Sequence, residues 1–127
     1  MTSLVRARDV RRDYPLEGEA VHALRGVSLE IERGEYVAIV GPSGCGKSSL
    51  LNLLGAIDAP TAGSVEIEGR NVGTLGDREV TAFRLHHIGF VFQRFYLLPV
   101  LTARENVELP MAEAGVSAGE RRQRSTE

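Results

Sequence analysis

The sequence contains a single cysteine, Cys45, so no internal disulfide can form, and no Cys/His grouping has the spacing of a zinc site. Its formal net charge is only −2, which leaves no basic footprint for nucleic acid. No run approaches the roughly 18 consecutive apolar residues of a membrane span. The opening Met1-Thr2-Ser3-Leu4-Val5-Arg6 lacks the apolar stretch of a signal peptide, so the chain is expected in the cytoplasm. Lysine is almost missing too: Lys47 is the only one, and nearly all other basic side chains are arginine. What remains is 127 residues, 43% of them hydrophobic, enough for one packed domain and too little for two.

The stretch that organises this composition is Gly41-Pro42-Ser43-Gly44-Cys45-Gly46-Lys47-Ser48-Ser49, which fits the phosphate-binding pattern G-x-x-x-x-G-K-[ST]. Ahead of it, Tyr36-Val37-Ala38-Ile39-Val40 is a continuous apolar run, as expected of a parallel strand covered on both faces. Behind it, Leu50, Leu53, Leu54 and Ile57 recur at helical spacing. A P-loop needs this strand and helix on its flanks. Gly41, Gly44 and Gly46 allow the backbone to turn its N–H groups toward one point, and the positive end of the following helix is directed there as well. Lys47 is placed to reach the β- and γ-phosphates of a nucleotide, and the Ser48 hydroxyl to ligate Mg²⁺. Cys45 reads as a small loop residue, or as a thiol acidified by Lys47 and the helix end.

Taken in order, residues 4–10 predict a short strand, and Val27, Leu29 and Ile31 alternate with polar residues as a second, half-exposed one. Residues 11–18 between them read as a turn-rich link. Its Tyr14 either stacks on a purine held near the P-loop or is a half-buried tyrosine at a strand end. A turn at 58–63 leads to a strand at 64–69, and Asp77 is a candidate cap for a helix over 78–86. His86 and His87, at the end of that helix, read as solvent-facing. Ile88-Gly89-Phe90-Val91-Phe92 is the second apolar run expected as a buried strand, and Gln93 ends it where open α/β sheets hold ligands. The following segment, residues 94–101, carries more apolar surface than loops usually do. Capping-box patterns, Thr102 with Glu105 and Ser117 with Glu120, predict two more helices, the first interrupted or kinked by Pro110.

The P-loop, the aromatic residue before it and the strand-terminal glutamine together resemble the ATP-binding cassette (ABC) ATPase family. The wording is closest to the lipoprotein-release and macrolide-export type of ATP-binding subunit. The resemblance covers almost the whole chain, through Leu24-Arg25-Gly26-Val27-Ser28-Leu29, Gly34-Glu35, Asp58-Ala59-Pro60-Thr61-Ala62-Gly63, Leu97-Leu98-Pro99 and Glu105-Asn106-Val107-Glu108-Leu109-Pro110. It implies an α/β P-loop NTPase fold: a parallel core sheet, an antiparallel β flank and the start of a helical subdomain. It further implies ATP and Mg²⁺ as cofactors, Tyr14 stacking on adenine, residues 41–49 binding the phosphates, and Gln93 touching Mg²⁺ and the attacking water. A transmembrane permease would dock on the segment after Gln93. A second nucleotide-binding domain would join head to tail, and the protein would sit on the inner face of the cell membrane.

The departures from the family are equally specific. No Ser-Gly-Gly signature, no apolar run ending in Asp-Glu and no switch histidine occurs in residues 1–127. The chain is therefore expected to be a partial nucleotide-binding domain that carries the P-loop and Q-loop but lacks the signature and Walker B. It should bind Mg·ATP and not hydrolyse it efficiently. A non-enzymatic truncated remnant and a small P-loop kinase are the alternatives, although the kinase leaves Tyr14, Gln93 and the 105–110 segment unexplained.

Overall fold

A computed structural model describes residues 3–127. They form two compact units, one ending at Val80 and the other running from Thr81 to Glu127.

The first unit is built on a long hairpin of β1 (Ser3–Leu16) and β2 (Glu19–Glu32). Residues 11–18, expected as a turn-rich link, are mostly strand. Arg11 to Leu16 pair with Arg25 to Glu19, the register shifting once between Arg12 and Asp13, and the turn shrinks to Glu17 and Gly18, with Gly18 at φ 84°. Cross-strand pairing outweighs the local turn preference of Pro15 and its neighbours. β3 (Ala62–Ile67) pairs with the other edge of β1, and β4 (Arg70–Asn71) pairs with β3, giving the order β2-β1-β3-β4 with every pair antiparallel. The strand expected at 64–69 stops at Ile67, because Glu68 and Gly69 (φ 51° and 79°) form the two-residue turn into β4. Asn71 then caps a single 3₁₀ turn, Val72–Thr74, by accepting from the Gly73 N–H at 3.0 Å.

Helix α1 (Lys47–Leu54) lays Leu50 and Leu53 on this sheet, where Ala7, Val10, Leu24, Val65 and Ile67 are buried. Leu53, Val10 and Val65 are its largest fully enclosed side chains. The helix closes at Gly55, and Ala56 turns left-handed at φ 56°. Ile57, expected on the same helical face, therefore lies beyond the helix and is largely exposed. α2 spans Asp77–His87, beginning at the residue read as its cap, and His87 stacks on Phe83 with ring centroids 4.5 Å apart.

The parallel core expected from the two apolar runs is not formed within the described residues. Tyr36–Val40 and Ile88–Phe92 belong to no strand, and Tyr36, Val40 and Val91 are 96, 86 and 103% exposed. A parallel strand buried on both faces needs a neighbour at each edge and helices above and below. Among the described residues nothing pairs with either run, so the sheet that exists is the antiparallel one.

In the second unit, α3 (Ala103–Glu113) starts with a complete capping box: Thr102 Oγ1 accepts from the Glu105 N–H at 3.1 Å, and the Glu105 carboxylate accepts from the Thr102 N–H at 2.7 Å. Pro110 does not end the helix, which continues to Glu113. α4 (Ala118–Arg124) is capped by Ser117. So short a helix needs docking, and Ser125 supplies some by donating to Glu108 of α3 at 2.7 Å.

Candidate nucleotide site

The glycine-rich loop enters α1 through Gly46, whose φ of 94° is open to glycine and strained for other residues. A side chain there would collide with the chain opposite, since a Cβ would sit 2.5 Å from the Ala23 carbonyl oxygen. That close approach seats the loop against β2. Gly44 is also left-handed, at φ 79°, and a Cβ on Gly41 would lie 2.8 Å from Cys45 Sγ. The exposed Cys45 is therefore packed back over Gly41.

Among the described residues no side chain caps the N-terminus of α1, and its first turn holds no acidic residue. The first N–H groups of a helix have no intrahelical acceptor, so this end offers donors and a positive dipole to an anion. Lys47 Nζ lies over the same loop. It donates to the carbonyl oxygens of Gly41 and Pro42, the latter at 2.8 Å, and comes within 3.5 Å of Cys45 Sγ.

Above this end opens a cleft of about 440 Å³, lined by Ser43, Gly44 and Gly46–Ser49 on one side and by Tyr14 and residues 21–23 on the other. It thus joins Tyr14 to most of the P-loop; Gly41, Pro42 and Cys45 are outside its lining. Val21, His22 and Ala23 were not legible as site residues. They reach the cleft only because β2 pairs with the end of β1, placing Val21 opposite Tyr14, and because Gly46 rests on Ala23. A second cavity, of about 370 Å³, is lined by Arg6, Arg33, Glu66 and Glu68 among others. It contains no P-loop residue, and its Arg6 pairs with Glu30 at 2.8 Å and lies 4.0 Å from Glu66.

Tyr14 is held on three sides. Its hydroxyl lies 3.2 Å from Asp58 Oδ2 and 3.4 Å from Ser49 Oγ, and the Arg12 guanidinium covers its ring 4.6 Å from the centroid. Arg12 Nε also donates to Asp58 Oδ2 at 2.8 Å. Burial works against the Arg12 charge, but the Tyr14 hydrogen bond and the Asp58 charge outweigh it and hold the guanidinium pKa above its ordinary value. Gln93 belongs to the second unit, where it is exposed at the end of the unpaired run 88–92. After it, Phe95, Tyr96, Leu97 and Val100 are exposed. The segment's shape is set by Asn106, whose amide accepts from the Leu98 N–H at 2.8 Å and donates to the carbonyls of Leu98, Leu101 and Thr102.

A family model described as ABC transporter matches residues 24–127. The chain belongs to the ABC transporter family. This ABC chain is 54% identical over 127 residues to an uncharacterized ABC transporter ATP-binding protein of Thermotoga maritima, covering 54% of that protein. It is 46% identical over 127 residues to the macrolide export ATP-binding/permease protein MacB of Escherichia coli K12, covering 20% of it. Among solved structures it superposes on the dimeric ATP-binding cassette MJ0796, in a post-hydrolysis state bound to ADP and Pi, with a TM-score of 0.90 and 46% identity. That match covers 96% of the ABC chain and 54% of the neighbour. The fold is therefore that of an ABC ATPase cassette of the P-loop NTPase class, and the ABC chain spans about half the length of the ATP-binding proteins it matches. No helix among the described residues is long and apolar enough to cross a membrane.

Proposed function

We propose that this chain is the nucleotide-gripping half of an ABC transporter ATP-binding subunit of the export or lipoprotein-release type. It binds Mg·ATP in the cleft between Tyr14 and residues 43, 44 and 46–49 of the P-loop. The observation that carries the reading is that one cleft is lined by both Tyr14 and the P-loop, an aromatic platform facing an uncapped helix end. The base stacks on Tyr14, backbone N–H groups of the loop take the phosphates, and Lys47 exchanges its carbonyl acceptors for phosphate oxygens.

Mg²⁺ fits the donors present. Among the described residues no group of three His, Cys, Asp or Glu side chains forms a metal cage. Mg²⁺ is usually held by substrate phosphates with only one or two protein oxygens, and Ser48 offers such a hydroxyl in the cleft. Gln93 is the second proposed contact, to the metal and the attacking water. Bound Mg²⁺ neutralises phosphate charge and polarises the transferred group.

We assign efficient turnover to neither residue, because residues 1–127 contain no signature, no Asp-Glu strand end and no switch histidine. Loss of even one preorganised stabilising donor typically costs about a hundred- to a thousandfold in rate. A permease docks on the exposed apolar segment 94–101, a second nucleotide-binding domain adds to the P-loop face, and the assembly sits at the cytoplasmic face of the membrane. MacB, named as both ATP-binding protein and permease, and the dimeric cassette neighbours support those two partners.

Calorimetric titration of the purified chain with Mg·ATP tests the reading. Saturable binding is expected, with at least a tenfold loss (about 1.4 kcal/mol) in Lys47→Ala. Equal binding by the variant would refute it, and Lys47-dependent hydrolysis above background would overturn the absence of turnover. A non-enzymatic remnant is the second reading, favoured by the solvent exposure of Tyr36, Val40 and Val91. A chain with no cooperative thermal transition, and none induced by Mg·ATP, would select it.

A further inference from the structure

Four side chains from separate parts of the first unit meet at the wall of the cleft: Arg12 and Tyr14 of β1, Ser49 of α1, and Asp58 from the loop after α1. Arg12 and Tyr14 share Asp58 as acceptor. Its Oδ2 receives Arg12 Nε at 2.8 Å and faces the Tyr14 hydroxyl at 3.2 Å, while its Oδ1 accepts from the Ala59 N–H at 2.8 Å. A phenol has one proton to give. It has two acceptors in reach, the Asp58 carboxylate at 3.2 Å and, at 3.4 Å, the Oγ of Ser49, the neighbour of the proposed Mg²⁺ ligand. Arg12 and Asp58 are about a quarter exposed, 25 and 27%, so their pairing is partly shielded from water. Tyr14 lines the cleft and Arg12 does not. The guanidinium thus covers the ring from outside the cleft lining.

We propose that Arg12 and Asp58 are positioning residues for the nucleobase: Arg12 backs the Tyr14 ring, Asp58 fixes its hydroxyl, and together they hold the aromatic face square to the cleft and tie it to the phosphate-binding helix. This rests on the reading of Tyr14 as the base platform. Arg12 and Asp58 lie outside the cleft lining, so they tune the contribution of the base to affinity and leave the grip on the triphosphate alone. Arginine serves here better than lysine, because a planar guanidinium can lie on a ring and hold a carboxylate at the same time.

The test compares Mg·ATP with Mg·tripolyphosphate, which lacks base and sugar, in the full chain and in Arg12→Met, Arg12→Lys, Asp58→Asn and Tyr14→Ala. A cation–ring contact of ordinary strength corresponds to about a three- to tenfold weaker Kd for Mg·ATP in Arg12→Met. Asp58→Asn should show a smaller loss and Arg12→Lys an intermediate one, with Kd for Mg·tripolyphosphate within about twofold of the parent throughout. Parallel losses for both ligands would make the cluster a fold element only, and unchanged Mg·ATP binding in all three cluster variants would overturn the inference outright. Tyr14→Ala separates the two levels. If it fails to weaken Mg·ATP selectively, the platform reading itself falls; if it does so and the Arg12 and Asp58 variants do not, only the positioning role falls. Should Arg12→Met lose its thermal transition, Arg12→Lys and Asp58→Asn decide.

Discussion

At the scale of single residues, two glycines of the same loop separate backbone strain from collision. Gly44 and Gly46 share a left-handed conformation, yet a Cβ at Gly44 would meet nothing within 4 Å whereas one at Gly46 would strike the Ala23 carbonyl. Gly44→Ala is expected to cost about 1–2 kcal/mol, the ordinary penalty of that conformation. Gly46→Ala should cost clearly more and also push the loop off β2, weakening Mg·ATP binding. Urea denaturation of the two variants side by side checks this, and equal midpoints would mean that the contact with Ala23 is not tight. For Arg12 the sign of its pKa shift is that of a cation favoured by the folded state. Its contribution is complete below the ordinary arginine value and is lost only as pH rises beyond it. The guanidinium therefore stays charged across the neutral range, and titration between pH 6 and about 9 should not release it from Tyr14.

At the scale of elements, α3 depends on its first turn. Thr102→Ala removes the acceptor for the Glu105 N–H and should cost about 1 kcal/mol, seen as faster amide exchange over residues 103–106. Asn106→Ala should instead speed exchange at Leu98, whose N–H it holds, and leave the cap protected. Both helix starts were legible because a cap is a local device whose residues are three apart and need no distant partner, although only Thr102 with Glu105 closes a full capping box while Ser117 accepts from the Glu120 N–H alone. The P-loop and its helix were legible for the same reason. The hairpin was not, since its register is decided by pairing that carries Tyr14 to Val21 and absorbs Pro15 into a strand. The far wall of the cleft was hidden likewise, because residues 21–23 acquire their place from a contact with Gly46 that no local pattern announces. The apolar runs 36–40 and 88–92 were expected as buried parallel strands and are not, because burial of such a strand depends on pairing that the described residues do not supply.

At the scale of the whole molecule, the unpaired runs and the exposed aromatic residues at 90–96 make the surface adhesive. Phe90 stacks on Phe92 and Phe92 packs edge-on to Tyr96, with ring centroids 5.5 and 5.0 Å apart, all three still open to solvent. Exposed extended segments of this kind invite association. Sedimentation should show concentration-dependent self-association of the purified chain, reduced in Val91→Lys, while the Kd for Mg·ATP stays unchanged. A strictly monomeric parent would contradict that expectation. The solitary lysine gives the molecule one further property. A protease that cuts only after lysine has a single scissile bond here, Lys47–Ser48, at the first step of α1 and in the floor of the cleft. Native digestion therefore yields two fragments or none, and its rate becomes a clock for how often that one turn of helix comes loose.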